Sequence, residues 1–321
     1  MQKEKISFSG EGGDLFIITL KNILLSILTL GIYSFWAKVN SLKFFYQNTK
    51  VYKESFDYHG TGKESFIGFL KGMLIVGGIV VLFAGFHFLL KNLLGEIGSG
   101  IAVVMLYLGI IGVQPMLILG KMRYHYGRTS WSNIRFSFKA NTKEFTILFF
   151  KGIFLTVVTL GLYMPWFMVA QERFMSKKIK IGNKNFKYNG VGGEYFKILI
   201  LGYILSVITL GIYSFWWRAS LKNYYWDHLE FGSVKFKSSL TGAKVFVNDI
   251  VVLAMVVFSF GIAFPWAVIK SLQLDLDNLE LNGDPQIEEI IGGIDKDASP
   301  IADGVSQAAE AVEQVGEMFG G

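Results

Sequence analysis

The eight residues Thr29-Leu30-Gly31-Ile32-Tyr33-Ser34-Phe35-Trp36 recur unchanged at positions 209–216. They recur edited at 159–166, where Met164-Pro165 stands in place of Ser-Phe, and more loosely at 259–266. Trp166, Trp216 and Trp266 are spaced by 50 residues. Fifty residues before Trp166 stands Met116, preceded by Pro115 as Trp166 is by Pro165. The chain therefore holds five copies of one unit, and the fold must be built from them.

All five copies lie in apolar sequence. Hydrophobic residues make up 52% of the 321, and mean hydropathy is +0.42. That exceeds ordinary soluble domains and points to an integral membrane protein. Many of the 29 Phe, 14 Tyr and 7 Trp fall at the ends of apolar runs, where amphipathic rings settle in a bilayer interface. No Cys is present, which excludes disulfides, thiolate nucleophiles and Cys-based metal sites. From Asp284 onward there are nine acidic residues and one basic, so the first 283 residues carry +14 against +6 for the whole chain. A basic body suits anionic lipid headgroups. Nucleic acid is rejected as a partner, because the charges flank the apolar runs. The first 14 residues are polar and the first apolar run is too long for the core of a cleavable signal peptide, so none is expected.

Six runs qualify by length as membrane helices, at 15–36, 66–90, 101–119, 145–169, 195–217 and 245–269. Residues 37–48 read as a helix continuing at the interface. The connections alternate polar and apolar residues at 50–60, 129–139, 179–189, 229–237 and 272–281, the pattern of short β-hairpins. The expected fold is an all-α polytopic membrane protein. About six transmembrane helices come from five ~50-residue repeats, with β-hairpins confined to the connecting loops. Residues 1–283 form this domain, and 284–321 an acidic tail expected to be disordered.

A unit with a single crossing alternates its orientation along the chain, which gives inverted repeats of the kind common in transporters. On that scheme one face carries 11 Lys and Arg. The other, made of 38–65, 120–144 and 218–244, carries 16 and is weakly favoured as cytoplasmic. In a different arrangement units dip into the membrane and return, placing every hairpin on one face as a single small sheet. Simple multiplication of a good membrane anchor is a further reading.

The order Phe8-x-Gly10-x-Gly12-x-x-Leu15-Phe16, then Thr29-Leu30-Gly31-Ile32-Tyr33-x-Phe35-Trp36-Ala37-Lys38, resembles the YjgN-like family. These are bacterial inner-membrane proteins that carry a domain of unknown function. The pattern recurs at 186–196 with 209–218, and the resemblance covers roughly residues 5–283. It implies several helices in the bacterial inner membrane, hence a multi-pass protein. It implies no activity and no functional residues, and the acidic tail lies outside it.

Ionisable residues within spans are costly and mark candidate sites. Lys21 and Lys151 each precede their unit's Trp by 15 residues. Lys71 follows Phe66 as Lys21 follows Phe16, so three helices place a Lys on about the same turn. Snorkelling to the headgroups accounts for them without a site. Asp249, with Asn248 beside it, is the single acid within a span and a candidate partner for one of those lysines. The repeat signature comprises Gly31, Gly161, Gly211 and Gly261, which permit a bend or close helix contact, with Trp36, Trp166, Trp216 and Trp266. Pro115, Pro165 and Pro265 free a backbone carbonyl one turn upstream. His59, His87, His125 and His228 show no metal spacing. Residues 60–65 resemble a phosphate loop faintly but lack the four-residue gap before Lys63. No enzyme activity, cofactor or metal is expected. The leading expectation is a permease- or channel-like bundle. Its competitor is a non-transporting scaffold or lipid-binding protein that recruits partners through hairpins and tail. Membrane lipids are the expected partners, with self-association as an option.

Overall fold

The computed structural model describes residues 3–284, within which one motif occurs five times: strand, helix, reversal, helix, strand. In the first copy β2 (Ser7–Phe8) leads into α1 (Gly12–Leu28), and α2 (Ser34–Asn48) returns to β3 (Thr49–Val51). The second runs β4 (Glu54–Tyr58), α3 (Gly62–Gly127), β5 (Thr129–Trp131). The third runs β6 (Ile134–Phe138), α4 (Thr142–Val158), α5 (Met164–Lys178), β7 (Ile179–Ile181). The fourth runs β8 (Lys184–Tyr188), α6 (Gly192–Ile208), α7 (Ser214–Asp227), β9 (Leu229–Phe231). The fifth runs β10 (Val234–Ser238), α8 (Gly242–Phe258), α9 (Phe264–Asp277), β11 (Leu279–Asn282).

The strands form one antiparallel sheet in the order β1-β11-β10-β9-β8-β7-β6-β5-β4-β3-β2. Its two ends are neighbours in the chain. β1 (Lys3–Lys5) pairs with β11, Lys3 opposite Asn282, and β2 pairs with β3, Phe8 opposite Thr49. One N-terminal strand that changes partner at Ile6 thus closes the sheet into a barrel. Side chains alternate across it. Phe136, Ile181, Phe231, Val234 and Leu281 are buried inside, whereas Arg135, Lys187, Lys235 and Lys237 face outward. A polar, basic exterior marks the barrel wall as water-facing.

This overturns the all-α expectation. The hairpins are not isolated loop decorations but one sheet, as the dip-and-return arrangement requires. The runs at 15–36, 145–169, 195–217 and 245–269 are not single spans either. Each breaks after 17 helical residues and returns to the barrel. An apolar run measured by length cannot reveal a reversal whose turn is itself apolar. Among the described residues one helix, Gly62–Gly127, is long and apolar enough to cross a membrane. It too reverses, at Gly95 (φ 62°), with His87 Nε2 lying 2.9 Å from Ser99 Oγ across the bend. Its legs reach about 50 Å from the barrel at 1.5 Å per residue, against about 25 Å for the short hairpins.

The last expected hairpin, 272–281, is also corrected. α9 continues to Asp277, and β11 pairs with β10 and β1 instead. Here the repeat outweighs local alternation: α9 ends at Asp277, 50 residues after α7 ends at Asp227. The acidic segment expected to be disordered lies outside the described residues from 285 onward.

Neighbouring units meet at the signature Trp. A Cβ on Gly62 would fall within the indole of Trp36. Gly192 stands in the same way to Trp166, and Gly242 to Trp216. Trp266 of the fifth unit packs on Gly12 of the first, where α9 meets α1, so the helices close into a ring as the strands do. Within a hairpin, small residues likewise face large ones: Gly152 takes Phe167 and Gly202 takes Trp217.

Candidate functional site

The turns at the far ends of the short hairpins follow one plan. In the first, Gly31 N–H donates to Ser26 O (2.7 Å) and closes α1. Tyr33 N–H donates to Thr29 Oγ1 (2.9 Å) and opens α2. Thr29, Leu30, Ile32 and Ser34 donate their amides to Leu25, Ile27, Thr29 and Gly31 carbonyls. Every amide from 29 to 34 is therefore bonded inside the turn. The same set recurs at 159–164 and 209–214, and at 259–264 with Ser259 in the role of Thr. Gly31, at φ 90°, needs to be Gly. The residue before it is left-handed too: Leu30, Leu160, Leu210 and Phe260 lie near φ 50°. That conformation costs a branched apolar residue roughly 1–2 kcal/mol, and Asn or Gly would hold it more cheaply. Yet these residues are 94–96% exposed, the most exposed large apolar groups among the described residues. A bulky apolar residue in the wrong backbone region at the most exposed point is intelligible when the surroundings are hydrocarbon.

Where the hairpins meet the barrel, the groups are polar. Four of the five hairpins, in units two to five, are clasped from the first turn to the last residue. Arg128 grips Glu64 with two bonds, Nη2 to Oε1 at 3.0 Å and Nε to Oε2 at 3.2 Å. Burial works to raise the Glu64 pKa, but the bonds and charge of Arg128 outweigh it and hold the carboxyl below its usual range. Lys178 holds Glu144 at 3.2 Å and His228 holds Glu194 at 3.5 Å. In the fifth unit the sides exchange, and Lys244 Nζ donates to Asn278 Oδ1 at 2.5 Å. A second set of struts joins adjacent elements. Arg123 donates to Ala140 O at 2.7 Å, Arg173 to Gly190 O at 2.6 Å and Asn223 to Leu240 O at 2.8 Å. These residues recur at 50-residue spacing, a signal the sequence contains but which charge alone does not raise. The faint phosphate loop proves to be such an anchor. Thr61 Oγ1 accepts from Glu64 N–H at 3.2 Å and caps α3, while Gly62 makes room for Trp36.

The barrel contains an apolar cavity of about 290 Å³, lined from all five units. Its walls include Phe56, Trp131, Phe186 and Phe236, with Tyr46, Tyr126, Ser176 and Tyr225 at the helix end. Behind them Glu172 bonds Tyr225 and accepts from Ser176 Oγ at 3.4 Å. Burial raises the Glu172 pKa, against the lowering effect of those two hydrogen bonds. The sign follows directly. A carboxyl whose folded pKa is raised adds stability below its ordinary 4.5, and this is lost as pH rises through the folded value. Glu172→Gln is thus expected to gain in melting temperature relative to the parent as pH rises above 4.5. Parallel melting curves across pH would show that the carboxyl carries no such penalty.

The residues singled out from sequence do not converge. Lys21, Lys71 and Lys151 are exposed on three different helices. Asp249 pairs with Arg218 of α7 at 2.7 Å, and Asn248 Nδ2 donates to Ser271 Oγ at 3.2 Å. Gly31, Gly161, Gly211 and Gly261 lie in the turns, while the four Trp lie in the seams. Pro165 and Pro265 stand in the first turn of α5 and α9, where a missing amide is harmless, and Pro115 lies inside α3. Among the described residues no group of His, Asp or Glu is arranged to hold a metal.

The fold and its apolar turns define a repeat-built membrane protein headed by a closed antiparallel barrel. The chain belongs to the family described as bacterial protein of unknown function (DUF898), whose model matches residues 3–191, 183–219 and 216–308. The match reaches into the acidic segment. Among similar proteins is the inner membrane protein YjgN of Salmonella typhimurium, 32% identical over 137 residues, which are 43% of this chain and 32% of that protein. YjgN of Escherichia coli K12 is 29% identical over 151 residues, 47% of this chain and 35% of that protein. The aligned stretch spans about a third of either relative. No solved structure matches. The protein is therefore a bacterial inner-membrane protein.

Proposed function

We propose that the protein is a lipid-binding membrane scaffold that enters the bilayer from one face. Its four short hairpins end inside the hydrocarbon, its second hairpin crosses, and its barrel stands in the cytoplasm. The observation that carries this is the set of exposed apolar turns whose amides are all bonded internally, since a bilayer tolerates no free amide. Charge agrees. The connections 38–65, 120–144, 171–193 and 218–244, with five, six, six and five Lys and Arg, all lie on the barrel side. The positive-inside rule favours that side as cytoplasmic. Only the long hairpin carries charge at its tip, where Lys91 lies 3.4 Å from Glu96, as suits an end that emerges into water. The transport reading, which rested on the repeat together with the span lysines and Asp249, draws less support, because these units share one orientation and those residues do not converge.

Because the chain lacks Cys, single cysteines report topology directly. Lys53→Cys and Asn183→Cys are expected to resist a membrane-impermeant thiol reagent in intact cells and to react in inverted vesicles. Asn92→Cys is expected to do the reverse. Opposite behaviour of positions 53 and 183 would sink the one-sided arrangement.

A further inference from the structure

The barrel interior holds a cavity that the scaffold role does not use. A sheet of about eight strands is just wide enough for its side chains to fill or for one small ligand. This one carries eleven strand segments and retains about 290 Å³, near the lower end of small-molecule pockets. The lining runs from the last turns of the helices, at Tyr46, Tyr126 and Ser176, to the hairpin ends, at Tyr52 and Val234. The space thus lies along the barrel axis and suits something elongated.

We infer that this cavity binds a single-chain neutral amphiphile, a hydrocarbon chain with an uncharged hydroxyl head. The walls are aliphatic and aromatic, and no Lys or Arg lines them to receive an anion. Most of its hydroxyl-bearing lining residues, Tyr46, Tyr126, Thr129, Ser176 and Tyr225, lie towards the helix end, with Tyr52 at the other. Glu172, hydrogen-bonded to Tyr225 and Ser176, sets an acidic group behind them, which opposes a carboxylate or phosphate head. A head lodged at the hydroxyls directs its chain among Trp131, Phe231 and Val234. The inference deepens the lipid-binding reading in one respect only: the bilayer beside the helix ring supplies the ligand.

The probe is a ten-carbon alcohol bearing a diazirine on its chain, photolysed on the full chain in phosphatidylethanolamine–phosphatidylglycerol nanodiscs. Adducts are mapped by mass spectrometry. They are expected on the barrel strands, within 179–188 and 229–236, and on the bilayer turns near Leu160. Excess decan-1-ol should cut the barrel adducts about tenfold, and decanoate should not. Val234→Phe and Leu281→Phe, which fill the space, should cut them similarly while leaving the turn adducts in place. Barrel adducts that are absent, or that survive both competition and filling, overturn the cavity site. Equal competition by decanoate overturns the neutral head. Loss of the turn adducts alone leaves the cavity standing and removes the embedding of the turns. The competition arm uses the parent protein, so a filling variant that fails to fold does not protect the inference.

Discussion

Leu210→Arg is expected to destabilise the bilayer-inserted protein by about 3 kcal/mol, the scale of a charge placed at the centre of a membrane helix. In water the same change would fall within about 0.5 kcal/mol, because Leu210 is 94% exposed and touches almost nothing. The environment alone decides between the two numbers. Leu210→Asn sharpens the test by sign. Asn tolerates the left-handed φ of 49° better than Leu, so in water the substitution stabilises. In hydrocarbon an added amide without partners destabilises instead. Unfolding in nanodiscs measures both, and Leu160→Arg repeats the experiment in another unit. A neutral Leu210→Arg together with a stabilising Leu210→Asn would mean that the turns lie in water.

Gly242→Leu is expected to cost about 3 kcal/mol through overpacking of a single seam. A side chain there would have to occupy the space of the Trp216 ring and part of its backbone. Gly13→Leu supplies the control, since nothing lies within 4 Å of a Cβ at that position, and it should be close to neutral. Trp216→Ala removes the ring though not the backbone Cα, so the obstruction is partly relieved and the double variant should be more stable than the sum of the single effects predicts, by about 1–2 kcal/mol. Thermal melting of the four proteins gives the cycle. Strict additivity would show that the seam is not where the damage arises.

Much of this was readable in the chain. The Trp spacing, with Met116, gives the number of units, and four of the five expected β-hairpins are where the alternating segments put them. The Gly before the outgoing helix and the Trp after it are visible as a motif, though the third unit lacks the Gly and the second the Trp. What periodicity hides is their relation: Gly62 and Trp36 belong to adjacent units, and Gly12 and Trp266 to the two ends of the chain. The reversal at 29–33 is hidden for a different reason. Turns are recognised by polar or flexible residues, and this one keeps Leu30 and Ile32 because its surroundings select for apolarity. Residues 272–277 alternate as a strand would, yet lie in a helix whose length is set by the other four units. Among the candidate sites, Lys21, Lys71 and Lys151 share a turn of the helix without sharing a space. Asp249 finds Arg218, a residue that from sequence belongs to the basic flank rather than to any span. The cavity has no linear signature, because its walls come from all five units and its shape exists only after closure.

The split first strand sets an order of events. Residues 3–5 pair with 280–282, contacts separated by nearly the whole chain. During synthesis each helical hairpin can form as it emerges, from local contacts alone. The growing sheet, however, remains an open ribbon with two unpaired edges until the fifth unit arrives. Such distant closure is intrinsically slow, and exposed edges invite pairing with other chains. A product that stops before residue 279 is therefore not four-fifths of a ring but an unlatched strip. The latch is three residues long.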